Sequence, residues 1–157
     1  RDPVFQAYRE RQLRLTHTGV PCVLDAGTLP DGRDWLLTTR PEGQRLDVCA
    51  RSMTTSGVVA LFHHVAGIVG AAHRIGSAHG NLSLDTILVL PGGVPAVHGW
   101  EQGALVDDVR QLAGVLRQSL RGNLPSRLEV VVKRAEAGGY RQADGFAEAL
   151  ADVLQVR

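Results

Sequence analysis

The segment from Ser56 to about Arg74 constrains the fold more than any other part of the chain. Its apolar residues recur three or four positions apart, which predicts a long helix with one buried face. Gly67 and Gly70 would weaken such a helix, so we expect another element to pack closely against it. Ser56 is expected to be its N-cap. The apolar face consists of Leu61, Val65, Ile68 and Ala72.

Before this segment, the pattern predicts one helix and one β-hairpin. Asp2, followed by proline, is expected to cap an amphipathic helix that reaches Leu15. Strands at Val20–Leu24 and Trp35–Thr39 flank the turn sequence Leu-Pro-Asp-Gly, which is typical of a hairpin. Residues 41–55 are polar and are interpreted as a connector with a short helix.

After the long helix, the pattern predicts a second hairpin and then only helices. The second hairpin joins residues 86–90 to residues 94–97 across Pro-Gly-Gly. Ser126 and Glu129 have the spacing of a capping box, which predicts a helix start at Ser126. The three expected helices are Asp107–Leu120, Ser126–Ala137 and Phe146–Leu154.

Composition excludes several classes of protein. The chain has 157 residues, which suits one compact domain or most of two small lobes. Its 17 basic and 16 acidic residues disfavour a strongly basic nucleic-acid surface. Cys22 and Cys49 lack CxxC spacing, so we expect neither a disulfide scaffold nor a zinc site, and a reducing cytosol is the expected setting. We also expect no signal peptide and no apolar run approaching ~18 residues.

The middle of the chain resembles a protein kinase. His79-Gly80-Asn81-Leu82 and the residues after it are similar to the catalytic loop of that family, which reads H-R-D-L-K-P-x-N. The second hairpin ends at Val97-His98-Gly99-Trp100, where the D-F-G triplet would fall. Asp108-Val109 resembles the start of helix F, and the residues before the first hairpin are similar to helix C.

This resemblance covers roughly Val4 to Leu154 and implies an α+β, protein kinase-like fold. Residues 1–40 would be a remnant of the N-lobe, namely a helix C-like helix plus a β-hairpin. Residues 41–157 would form a mostly helical, C-lobe-like domain. The Gly-rich loop and its strand lysine would lie before residue 1.

The resemblance also implies that the residues needed for phosphoryl transfer are missing. Phosphoryl transfer from ATP needs a carboxylate base, metal ligands and a lysine–glutamate pair. Asn81 stands where the family has the aspartate that acts as the base, and Ser83 stands where it has the lysine two residues after that aspartate. Thr86 and His98 replace the two metal ligands, and neither side chain suits Mg²⁺. Tyr8 stands at the helix C glutamate position, so the resemblance implies a pseudokinase with no catalytic residue, no metal and no cofactor.

Three other residues match structural positions of the family. His79 would support the triplet after the second hairpin, and Asp108 would bond to the catalytic-loop backbone, as a buried carboxylate must. Arg141 matches a late arginine that normally pairs with a glutamate of the activation segment. The interval between Trp100 and Asp108 is too short for such a segment, which leaves the partner of Arg141 open.

Two classes of function follow. The first is an inactive regulatory scaffold in bacterial signalling, cytoplasmic, as a soluble domain of a larger or membrane-anchored protein. Its partner would be a protein: a Ser/Thr kinase, a forkhead-associated domain or a parent membrane protein, with no nucleic acid and no membrane insertion. The alternative is an atypical ATP-binding phosphotransferase in which Glu101 or Asp107 binds the metal.

The remaining polar and aromatic residues have a structural and a functional interpretation. The histidines 63, 64, 73, 79 and 98 lack metal-site spacing, so packing or exposure is favoured for them. Residues 54–56 are more simply helix caps than phosphorylation sites. Trp35 is expected in the core or between the lobes, and Trp100 is hypothesised to fill space where nucleotide and metal would sit.

Overall fold

The computed structural model describes residues 2–101 and 103–155. Its first elements are α1 (Pro3–Arg14), β1 (Val23–Thr28) and β2 (Asp34–Thr38). Asp2 is the N-cap of α1, and its carboxylate accepts a hydrogen bond from a backbone N–H two residues later, at 2.9 Å. β1 and β2 pair antiparallel and, within the described part of the chain, with no other strand. The predicted helix and hairpin are confirmed.

Two details of this region differ from the sequence prediction. Val20 is buried, and the preceding Gly19 carbonyl accepts a hydrogen bond from Val97 N–H at 2.7 Å. This contact holds the chain against the second hairpin, so β1 begins after Val20 rather than at it. On α1, the predicted inner face is correct at Tyr8 and Leu15, which pack on the core, but Val4 is exposed and the polar Gln12 occupies a buried position on that face.

The connector contains more regular structure than its polar sequence predicts. It comprises β3 (Gln44–Arg45), α2 (Leu46–Cys49) and a short 3-10 helix (Ala50–Ser52). β3 pairs with β4 (Ile87–Val89), which pairs with β5 (Pro95–Val97). The predicted second hairpin is therefore part of a three-stranded antiparallel sheet. β3 was missed because two residues are too few to show an alternating pattern.

The central helix, α3, spans Thr55–Arg74 and supplies much of the core. Its N-cap is Thr54, whose hydroxyl accepts from Gly57 N–H at 3.0 Å, so the prediction of Ser56 as the cap was wrong by two residues. By length and composition α3 could cross a membrane, which corrects the expectation that no apolar run approaches that length. Its packing against α4 (Leu105–Ser119) and α6 (Ala143–Leu154) accounts for that composition, as in the core helix of a folded domain.

The last helices follow the predicted order, and α5 begins at the predicted Ser126, whereas α4 begins two residues before the predicted Asp107. α5 spans Ser126–Glu136, and α6 begins three residues before the predicted Phe146. The predicted capping box is wrong, because Pro125 takes the N-cap position and Ser126 lies inside the helix. Glu129 instead accepts two hydrogen bonds from the Arg117 guanidinium, each 3.0 Å long, which tie α5 to α4.

Candidate functional site

A buried carboxylate connects three helices to the loop at residues 77–86. Asp108 is fully buried; its Oδ2 accepts from His79 N–H at 2.6 Å and from His73 Nε2–H at 2.8 Å. Its Oδ1 accepts from Gly80 N–H at 2.9 Å. The other ring nitrogen of His73 accepts from Ala143 N–H at 3.0 Å, at the start of α6. This set of five residues, the Asp108 network, satisfies a charge that would be costly to bury alone.

His79 uses both ring nitrogens for backbone contacts. Its Nε2–H donates to the His98 carbonyl at 2.7 Å, and its Nδ1 accepts from Asn81 N–H at 3.1 Å. Burial is the largest cause of a pKa for His79 below its ordinary value of 6.5. The imidazole is therefore neutral at physiological pH, and it fixes the backbone of the loop and of the segment after β5.

The side chains of Asn81, Ser83 and Thr86 are also hydrogen-bonded, those of Ser83 and Thr86 within the loop itself. Thr86 Oγ1 accepts from Ser83 N–H at 2.9 Å and donates to the Asn81 carbonyl at 3.1 Å. The Ser83 hydroxyl accepts from Asp85 N–H at 3.2 Å. Asn81 Nδ2 donates to Glu101 Oε1 at 3.3 Å. These bonds close a compact turn, so the polar groups hold the loop's shape.

Tyr8 links α1 to the segment after β5. Its hydroxyl donates to the Trp100 carbonyl at 2.6 Å, and burial, with Glu101 as a second cause, raises the pKa of Tyr8. The Trp100 indole is buried, donates to the Val97 carbonyl at 2.9 Å and lies 4.7 Å from the His79 ring. Tyr8 thus makes a neutral hydrogen bond where the resemblance implied a glutamate.

An open cleft lies between this segment and the first hairpin. One part, about 480 Å³ in volume, is lined by Trp100, Arg40 and His98. An adjoining part of about 600 Å³ is lined by Arg40, Arg45, Asp85 and His98. Arg45 is paired with Asp85 at 2.6 Å, whereas Arg40 forms no ion pair with any residue in 2–101 or 103–155. Glu42 also lines this adjoining part, so its lining holds two arginines and two carboxylates.

The acidic residues considered as metal ligands are separately engaged. Asp107 pairs with Arg110 at 3.3 Å, and Glu101 accepts the hydrogen bond from Asn81. The described residues include no group of three His, Cys, Asp or Glu side chains that could hold a metal ion. His63 contacts the Ala147 carbonyl through Nδ1 at 2.9 Å, which is a packing contact between α3 and α6.

Three other expected residues lie away from the cleft. Arg141 is exposed and pairs with no carboxylate that the structure describes. Trp35 is half-buried and covers Gly27 on the opposite strand, so it belongs to the hairpin and not to the core or to an interlobe contact. Thr54 caps α3, which is the structural interpretation given to it above.

Two supporting residues were missed by sequence reasoning. For His73 packing or exposure was favoured, but its hydrogen-bond partners were not predicted, although a histidine on the apolar side of a long helix needs buried partners. Gln111 on α4 was not considered, and its Oε1 accepts from Leu82 N–H at 2.8 Å. A glutamine has no sequence signature for such a contact, because the partner is a backbone group 29 positions away.

Comparison with known proteins identifies the fold. No protein-family model matches the chain, and a search of curated proteins also finds no match. The crystal structure of the Mycobacterium tuberculosis PknI kinase domain matches with a TM-score of 0.73 and 20% sequence identity. The match covers 96% of this chain and 79% of that domain. The chain therefore has an α+β, protein kinase-like fold, as the resemblance implied.

Proposed function

We propose that this kinase-like domain is catalytically inactive and acts as a protein-interaction scaffold in bacterial signalling. One observation carries the proposal: the side chains at the catalytic-loop positions form hydrogen bonds that hold the backbone. His79, Ser83 and Thr86 are all engaged in this way, whereas the Asn81 side chain bonds the Glu101 side chain. A loop organised around its own hydrogen bonds can keep the fold intact after its chemistry is lost.

The absence of a base is the first support for inactivity. The family's reaction needs a group that accepts the proton of the attacking hydroxyl. Asn81 carries an amide, which has no basic lone pair, and its nitrogen donates to Glu101. Asp85 is the only carboxylate in the loop at 77–86, and it is paired with Arg45 at 2.6 Å.

The metal positions give the second support. Metal ions neutralise the charge that develops on the transferred phosphoryl group. Thr86 has a single hydroxyl, already bonded to Ser83 N–H and to the Asn81 carbonyl, and His98 offers an imidazole, a poor ligand for a hard cation. Neither position supplies the carboxylate or amide oxygens that Mg²⁺ prefers.

The cleft favours one alternative, an ATP-binding phosphotransferase with non-standard residues. Arg40 lines it, beside Glu42, and forms no ion pair with a described residue, so its guanidinium could contact a polyphosphate. Such an enzyme would need Glu101 or Asp107 to release its present partner and bind a metal. The two proposals therefore differ in whether nucleotide binds with the help of a divalent cation.

A thermal-shift titration with ATP, with and without Mg²⁺ or Mn²⁺, separates the two proposals. A ligand at a hundred times its Kd stabilises a protein by about 2.7 kcal/mol, roughly 5–10 °C for a domain of this size. The scaffold proposal expects no metal-dependent shift. A metal-dependent shift that Glu101→Gln or Asp107→Asn removes, and that the exposed-site control Glu148→Gln keeps, would contradict this expectation and favour the phosphotransferase.

The proposed partner is a protein, and the proposed location is the cytoplasm. A Ser/Thr kinase, a forkhead-associated domain or a parent membrane protein fits a domain that retains its fold without its chemistry. A nucleic-acid partner is disfavoured by the net charge of +1. Isothermal titration of purified candidate proteins against the domain tests this part, and binding to DNA alone would contradict it.

A further inference from the structure

An apolar groove lies outside the cleft, between the end of α1 and the start of β1. Its volume is about 530 Å³, and Leu13, Leu15, Cys22 and Val23 contribute to its lining. Leu13 is 51% exposed although it lines a concave surface. Apolar groups gathered in a groove mark an interaction site more strongly than single exposed leucines do.

Charge beside the groove selects the chemistry of an occupant. Among the described residues that line it there is no carboxylate. Arg11 and Arg14 lie on the adjoining last turn of α1, and neither forms an ion pair within the described part of the chain. An apolar floor beside two unpaired cations is complementary to a segment that carries both apolar side chains and carboxylates.

A buried amide gives a second, independent indication. Gln12 lies between the groove and the cleft and lines both; it is 7% exposed, and its Nε2 is buried with no hydrogen-bond partner among the described residues. A buried donor without a partner is costly, and an incoming carbonyl oxygen reached by rotation of the amide would satisfy it. Peptides supply such oxygens at every residue. The groove also meets the first residues of β1, whose strand pairing within the described chain is with β2 alone.

We propose that this groove binds an acidic peptide segment of a partner protein. The segment places apolar side chains against Leu13 and Leu15, directs carboxylates towards Arg11 and Arg14, and offers a carbonyl oxygen to Gln12. The inference rests on the proposed scaffold function, since it names the kind of partner and where it binds.

Selection from a random 12-residue peptide library displayed on phage tests the groove, with no nucleotide present. We expect enriched peptides to combine leucine-like residues with Asp or Glu. Their Kd, measured by fluorescence anisotropy, should rise at least tenfold for the variant Leu13→Ser/Arg14→Glu. The matched control Val130→Ser/Arg127→Glu changes exposed residues on α5 and should leave the Kd unchanged.

Three results would overturn the proposal: no enrichment, enrichment of peptides without acidic residues, or equal binding by the groove variant and the wild type. A fall in sedimentation mass for the groove variant would assign the groove to a second copy of this chain and would overturn it too. Thermal unfolding must show that the variants are folded; Gln12→Met, which keeps the volume and removes the amide, is the milder second variant. Phosphoryl transfer by the domain would refute the scaffold function without altering these binding results.

Discussion

Replacing Asp108 by asparagine tests the Asp108 network. Oδ2 accepts two hydrogen bonds, from His79 N–H and from His73 Nε2–H, whereas Oδ1 accepts one, from Gly80 N–H. In the Asp108→Asn variant, the amide oxygen can keep the bond to Gly80. The NH₂ group then faces two donors and accepts from neither. His73 cannot relieve the conflict by changing tautomer, since its other nitrogen accepts from Ala143 N–H.

The expected loss is large for a domain of this size. Hydrogen bonds to a charged group contribute about 1.5–3 kcal/mol each, so the loss of two costs about 3–6 kcal/mol. The whole free energy of unfolding of a domain is about 5–15 kcal/mol. With a urea m value of about 2 kcal/mol/M, the midpoint should fall by roughly 1.5–3 M while m stays unchanged.

Asp107→Asn is the matched control. Asp107 is adjacent in sequence, but its side chain is 53% exposed and, among the described residues, pairs only with Arg110, at 3.3 Å. The control should change the free energy of unfolding by less than about 0.5 kcal/mol, as exposed ion pairs do. A loss below about 1 kcal/mol for Asp108→Asn would refute the argument that this carboxylate holds the loop.

Three further predictions concern other contacts. Tyr8→Phe removes the 2.6 Å hydrogen bond to the Trp100 carbonyl and should lower the free energy of unfolding by about 1 kcal/mol. Amide hydrogen exchange should become faster in α1 and change less in α3; unchanged exchange in α1 would contradict this prediction. The folded-state pKa of His79 lies below the unfolded value, so the contribution of His79 to the free energy of unfolding is complete above pH 6.5 and falls as the pH drops below that value. Urea unfolding at several pH values should therefore show a smaller loss of stability at low pH in His79→Gln than in the wild type. An identical loss in both would contradict this prediction. A Cβ at Gly70 would collide with Asp144 of α6, whereas no described atom lies within 4 Å of one at Gly67. Gly70→Ala should therefore destabilise the domain by about 1–3 kcal/mol, and Gly67→Ala should stabilise it by up to about 1 kcal/mol in the same urea assay, so equal effects would be inconsistent with this packing.

Helical periodicity explains why so much of the fold was predictable. α3 and α4 repeat apolar residues over 20 and 15 residues, long enough for the pattern to be read without tertiary information. β3 has two residues and is defined by its partner β4, so its own sequence carries no pattern. Gly70 was read correctly as a close contact, but Gly67 was not, because a glycine does not reveal which face of the helix has a neighbour.

Helix starts and the candidate site show the limits of local sequence more clearly. Ser126 and Glu129 have capping-box spacing, but a nearby arginine on α4 binds Glu129, and proline takes the cap position. Asp108 was identified only through the resemblance, because its partners lie 28 to 35 positions earlier in the chain. The Tyr8 contact spans 92 positions and has no sequence signature at all.

Phosphoryl transfer is the most direct measurement of the central claim. The purified domain would be incubated with γ-labelled ATP and Mg²⁺ or Mn²⁺, alone and with a general protein substrate, beside an active bacterial Ser/Thr kinase as the positive control. The inactive-scaffold account predicts no more label than the heat-denatured domain receives. Label above that level, lost in Glu101→Gln or Asp107→Asn and retained in Glu148→Gln, would contradict the account and establish an enzyme.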